Sequence, residues 1–299
     1  VYMRQGVFSM SDFVIVTDSC CDLPGGMAGE LGLEVLPLSI HLGGKEYLND
    51  LDEKEIRFGE FYRQLREGVK CTTSAVNVES FIGKMEPYLQ NGKDILCLAF
   101  SSGLSNTYNA SKLATEELAP KYPDRKIYTV DTLCASLGQG LLIYHAVQEK
   151  RRGKTIEEVR DWAEENKLHL CHWFTVDDLN FLKRGGRVSA ATALIGTVLG
   201  IKPVLHVDDE GHLINMGKAR GRRASLSALV DHMAETVTDP ENQAVFISHG
   251  DCADDAQWVA DEVRKRFGVK EVVINYVGPV IGAHSGPGTV ALFFLGTHR

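Results

Sequence analysis

Near the end of the chain, Gly278-Pro279-Val280-Ile281-Gly282-Ala283-His284-Ser285-Gly286-Pro287-Gly288-Thr289 sets an imidazole and two hydroxyls inside a backbone dense in glycine. Glycine lets the main chain approach a ligand and aim its N–H groups, while His284, Ser285 and Thr289 add side-chain hydrogen bonds; the combination suits an anionic head group. It fits equally a turn between Val277 and Val290. Hydroxyls recur upstream. Thr72-Thr73-Ser74 stands before a helix expected from about Asn77 to Gln90, and since Asn77 is an adequate cap by itself, these three are left for other work. Ser101, Ser102 and Ser105 likewise exceed what one cap requires. In Asp177–Arg187 a short helical pattern ends at Gly185-Gly186 flanked by cations. Arg187 could hold an anion through two parallel N–H bonds, which lysine cannot do, or could simply be a solvated helix end.

Residues so far apart need a frame that gathers them. Phe13–Thr17, Ile95–Phe100 and Ile127–Val130 are short apolar, β-branched runs, each followed by small hydroxyl or acidic residues and then a helical pattern. They read as buried parallel strands whose carboxyl ends share one edge, where open α/β sheets place their ligands. Asp18 and Asp131, at two of those ends, also fit as N-caps. The later sequence differs. Thr155 and Glu158 form a capping box for a helix to Asn166, after which His169–Val176, Ile201–Val207, Leu213–Ala219, Ala244–Ser248, Glu271–Val277 and Val290–Leu295 read as strands, with an amphipathic helix Asp254–Phe267 among them. The expected architecture is α/β: an N-terminal three-layer domain with a parallel sheet over residues 10–166, and a C-terminal two-layer α/β domain with a mixed sheet over 167–299. Residues 1–9 read as an extension.

Composition narrows the function classes. A chain of 299 residues, 44% hydrophobic, has the length for two domains. A net charge of −8 without a basic run argues against nucleic acid, and no apolar stretch approaches the ~20 residues of a membrane span. Seven cysteines without repeated spacing do not form a disulfide framework, which fits a reducing, cytoplasmic location. The histidines show no metal spacing, so no metal or cofactor is expected. Nor is there a GxSxG elbow or a GxxxxGK[ST] loop.

Five motifs in order, Phe13–Pro24 with Thr17-Asp18-Ser19, Thr73-Ser74, Ser101–Tyr108, Leu182–Arg187 and Gly278–Gly288, together resemble the DegV family of bacterial fatty-acid-binding proteins, over residues 13 to 296. The resemblance implies a long-chain fatty acid held between two α/β domains, and, in some members, a role as the non-catalytic binding subunit of a fatty acid kinase. Carried onto this sequence, it makes Thr73 and Ser102 the first choices for carboxylate contacts, supported by Ser74, Ser101, Arg187, His284 and Ser285. The apolar stretch 190–199 would contact the tail through Ala190, Leu194, Ile195, Val198 and Leu199. Two departures bear on loop geometry: Ala75-Val76 stands where Gln-Pro is usual, and Asn106 where glycine is common.

Binding chemistry agrees. A palmitate-like chain buries roughly 14 methylenes at about 0.8 kcal/mol each, so the tail supplies affinity before ordering costs are subtracted. The head group must lose water, and hydroxyls, His284 and Arg187 would offset that and fix which end faces outward. An outward carboxylate is what a kinase partner would phosphorylate. The alternatives are a phosphate-ester or acyl hydrolase built on His284 and the serines, and a regulatory protein with an incidental pocket.

Overall fold

A computed structural model describes residues 13–189 and 200–299. The extension 1–9 and the proposed tail-contact stretch with Ala190, Leu194, Ile195, Val198 and Leu199 lie outside the described residues.

In the first part of the chain the strands are β1 (Phe13–Asp18), β2 (Glu34–Leu36), β3 (Leu38–Leu42), β4 (Lys45–Asn49), β5 (Cys71–Ser74), β6 (Asp94–Ala99) and β7 (Ile127–Asp131). The helices are α1 (Gly25–Glu30), α2 (Phe58–Arg66), α3 (Val78–Gln90), α4 (Thr107–Leu118), α5 (Leu137–Arg151) and α6 (Ile156–Asn166). Strands β2-β1-β6-β7 form a parallel sheet in that order, so the carboxyl ends of β1, β6 and β7 lie along one edge. On one face of this sheet α3 and α4 bury Phe81, Met85 and Ala114. Caps start the helices where side chains allow: Asn77 accepts from the Ser80 N–H at 2.8 Å, and Thr155 and Glu158 complete the capping box of α6.

After residue 166 come β8 (Leu170–Thr175), α7 (Asn180–Arg184), β9 (Ile201–Val207), β10 (Leu213–Arg220), α8 (Arg222–Thr236), β11 (Ala244–His249), α9 (Ala253–Phe267), β12 (Glu271–Tyr276), α10 (Pro279–Ser285) and β13 (Val290–Leu295). The sheet order is β10-β9-β8-β13-β11-β12, and only β11 and β12 run parallel. Its outer face is covered by α8 and α9 through Leu226, Leu229, Val259 and Val263. The inner face meets α5, whose first two turns, Leu137–Ile143, are wholly buried and which touches β8, β11 and β13. Through α5 a single apolar core joins Leu96 and Leu98 of the parallel sheet to Phe174 and Phe293 of the mixed one.

Two elements differ from the sequence reading. Thr72-Thr73-Ser74 precedes α3 as expected but lies in a strand the sequence reading does not mark, β5 of a small antiparallel sheet β4-β3-β5. The glycine-dense Gly278–Gly288 is not a bare loop: Pro279 opens the seven-residue α10. Its early glycines serve close packing, since a Cβ at Gly282 would stand 2.5 Å from Tyr62 Oη and one at Gly278 would stand 2.4 Å from Asp22 Oδ1.

Candidate functional site

Pairing of β5 with β3 sets Thr73 opposite Ile40 and Ser74 opposite Ser39. The two-residue period of the strand then leaves Thr73 half-buried and Thr72 and Ser74 exposed. Helix α10 packs on β3, β5, α2 and α7, and this brings His284 to Thr73 across 211 positions of sequence, with Nε2 2.9 Å from Thr73 Oγ1. Close approach of α7 depends on Gly185, because a Cβ there would lie 2.1 Å from His284 Nδ1. That Nδ1 is buried and has no hydrogen-bond partner. Burial, and secondly the nearby Arg187 charge, bring the imidazole down to about 4, so it is neutral at physiological pH.

Arg187 is half-buried and anchored at both ends of its fork. It donates to the carbonyl of Leu104 at 2.9 Å and to the carbonyl of Gly185. Desolvation pushes its pKa downward. Ser285, next to His284, is 4% exposed with an unpartnered Oγ, while Thr289 Oγ1 donates to the carbonyls of Ser285 and Gly286.

These side chains border one cavity of about 290 Å³. Thr73, Ser74, Ser105, Asn106, Arg187, His284 and Ser285 contribute polar wall, and Leu38, Phe100, Leu104, Phe174, Val280 and Phe293 much of the apolar wall. The cavity therefore combines a polar corner carrying one fixed positive charge with a greasy interior, the arrangement an amphipathic acid requires.

The serines divide. Ser101 is fully buried, but its hydroxyl donates to the Gly211 carbonyl at 3.0 Å and accepts from the Gly103 N–H at 3.2 Å, and it does not border the cavity. It ties the loop after β6 to the β9–β10 hairpin. Ser102 is exposed, its N–H held by Asp131 Oδ1 at 3.1 Å, and it too is absent from the wall. Ser105 and Asn106 stand there instead. Ser74 sits at the exposed rim, with Oγ 3.2 Å from His41 Nε2. Ser136 and Ser248 also reach the wall. Sequence pattern carries no signal for these two, since each begins or ends an element like any cap.

The serine–histidine pair that hydrolysis at Ser285 would use is absent, because Ser285 Oγ makes no hydrogen bond to His284; the hydroxyl paired with the imidazole is that of Thr73. Asp18 is wholly buried and away from the cavity wall, accepting from the N–H groups of Cys20 and Phe100 and from Gln139, with burial raising it to about 6. It organises the edge of the parallel sheet. No cluster of metal-ligating side chains occurs among the described residues, nor any helix long and apolar enough to cross a membrane.

A family model described as uncharacterised protein, DegV family, matches residues 12–297. A DegV domain-containing protein of Clostridium perfringens is 49% identical over 287 residues, which is 96% of this chain and 98% of that protein. Among solved structures, a DegV family protein from Thermus thermophilus, described for its fatty acid binding, superposes with a TM-score of 0.85 at 32% identity, covering 94% of this chain and 98% of that one. A DegV lipid binding protein from Thermotoga maritima gives a TM-score of 0.85 at 30% identity over 96% and 99%.

Proposed function

Because this chain belongs to the DegV family, we propose that it binds a long-chain fatty acid in the cavity between its sheets, carboxylate toward Thr73, His284 and Arg187. The observation that carries this reading is the junction of that polar corner with an apolar cavity, in a fold shared with a Thermus thermophilus protein that binds fatty acid. Thr73 and the neutral His284 share one hydrogen between Oγ1 and Nε2, so each can turn to donate to an oxyanion. Arg187 supplies charge, Ser285 a free buried hydroxyl, and Ser74, Ser105 and Asn106 the rim. Ser101 acts by holding the neighbouring loop. The apolar stretch with Ala190, Leu194, Ile195, Val198 and Leu199 serves the tail by its composition.

The same proposal includes a kinase partner. An exposed rim beside the carboxylate leaves room for a nucleoside triphosphate held by that partner. A carboxylate oxygen attacks the terminal phosphorus, the bond to the bridging oxygen breaks, and nucleoside diphosphate leaves while the acyl phosphate stays bound here. This chain then supplies binding and orientation, and the partner the phosphoryl chemistry.

Extraction of the denatured protein with organic solvent, followed by mass spectrometry, should yield about one fatty acid per chain, and the stripped protein should rebind stearate. A protein that neither retains nor rebinds fatty acid sinks the binding reading. Acyl-phosphate formation by R187A or H284A at the wild-type rate, with the kinase present, sinks the presentation step alone.

A further inference from the structure

The cavity wall carries a second polar group, on elements other than those bearing Thr73, His284 and Arg187. Ser136, just before α5, and Ser248, near the end of β11, both border the cavity and are 4% and 0% exposed. Ser136 Oγ lies 2.6 Å from Asp22 Oδ2 and 3.0 Å from Ser248 Oγ, forming a chain Asp22–Ser136–Ser248 that ends at the cavity. Asp22 is 2% exposed, and its Oδ1 completes no hydrogen bond, although the Gly278 N–H stands close enough to favour the ionised carboxylate. Ser136 itself sits at φ 54°, ψ −144°, backbone that favours glycine. A non-glycine residue kept in such strain marks a place where the side chain is needed.

Ser136 is the donor in both contacts and has one hydrogen to give. With Asp22 ionised that hydrogen is held by the carboxylate and Ser248 receives none. With Asp22 protonated the carboxyl hydrogen goes to Ser136 and the Ser136 hydrogen to Ser248, which accepts there and keeps its own hydrogen for a further partner. Burial raises the Asp22 carboxyl to about 7, against the Ser136 hydrogen bond and the nearby Gly278 N–H, which puts both arrangements within reach near neutral pH. Such an end can donate or accept. A methylene does neither, so a plain alkyl segment lying here leaves it unanswered.

We propose that Ser248, backed by Ser136 and Asp22, is a subsite for an oxygen substituent on the acyl chain, a hydroxyl or a keto group, and that oxygenated fatty acids are a preferred ligand class. The inference rests on the fatty-acid reading above. Its test is titration of the full-length, delipidated protein with stearate and with hydroxy- and ketostearates carrying the oxygen at successive positions. At one position binding should be about three- to tenfold tighter than stearate, the worth of one buried hydrogen bond. S248A and S136G should each bring that ratio close to one, and S136G keeps a residue suited to the local backbone. No favoured position, or a preference that survives in both variants, overturns the subsite while leaving stearate binding intact. Failure of the wild type to bind stearate or any oxygenated relative overturns the fatty-acid reading and the subsite together.

Discussion

His284 enters the folded protein without a charge. Burial first, and the Arg187 guanidinium second, take its pKa from 6.5 to about 4. Between those values the unfolded chain binds a proton here that the folded chain does not, so the contribution of His284 to stability declines as pH falls from 6.5 toward 4. A carboxylate seated against Thr73 reverses the local field, because an opposite charge within a few ångströms favours the imidazolium. Stearate binding at a pH of about 6 should therefore take up a fraction of a proton. Binding heats measured in buffers of different ionisation enthalpy give that fraction directly, and H284Q should reduce it to near zero. Equal uptake in H284Q and wild type would assign the proton to another group and remove His284 from the head-group site.

At the scale of elements, what could be read in the sequence followed from local chemistry. Asn77, Thr155 and Glu158 announce their helices because capping is settled within four residues, and the apolar runs announce β1 and β6 because burial on both faces demands them, while β7, at the sheet edge, is only partly buried. Thr73 and His284 were recognisable as candidates by residue type, yet their contact is set by α10 packing on β5, which no local pattern encodes. Choosing Ser105 over Ser101 and Ser102 likewise needed the β9–β10 hairpin, whose Gly211 carbonyl takes the Ser101 hydroxyl. The glycines of Gly278–Gly288 suggested a loop, but Gly278 and Gly282 are there for close approach, which composition does not distinguish from backbone freedom. Gly185 shows the same principle and allows a sharp test. Its φ of −73° suits alanine, so G185A carries no backbone strain, and its Cβ would meet His284 Nδ1 at 2.1 Å. The variant should fold and yet weaken stearate binding by about tenfold or more, as expected when a head-group hydrogen bond is lost. G26A, where a Cβ meets nothing within 4 Å inside α1, should raise stability by about 0.5–1 kcal/mol and leave affinity alone. Wild-type affinity in G185A would show that His284 is not held by this contact.

For the whole molecule, the cavity depends on keeping the two larger sheets in register, and several bonds cross between them. Tyr62 Oη donates to the Val277 carbonyl at 2.7 Å, Asn275 donates to the Asp22 carbonyl at 2.8 Å, and Arg66 pairs with Asp251. Arg299 joins more backbone than any of these. Its guanidinium donates to the carbonyls of Leu133 and Asp208, each at 2.9 Å, of Leu170 at 3.1 Å and of Lys167 at 2.5 Å. Leu133 is held at φ 52°, two residues before Ala135 of the cavity wall. The Ala135 N–H in turn donates to His172 Nε2 at 3.2 Å, and His172 Nδ1 donates to the same Leu170 carbonyl that Arg299 uses. The loop carrying Ala135 and Ser136 is thus gripped from both sides by groups that never touch a ligand. R299A would leave several carbonyls without a donor, at a cost of about 2–4 kcal/mol in urea unfolding, and R299K would recover only part because an ammonium cannot span the same fork. Stearate affinity should fall in R299A as well, since the strained loop relaxes away from the wall. A variant that loses stability but binds stearate like wild type would confine Arg299 to holding the fold and deny it any part in shaping the cavity.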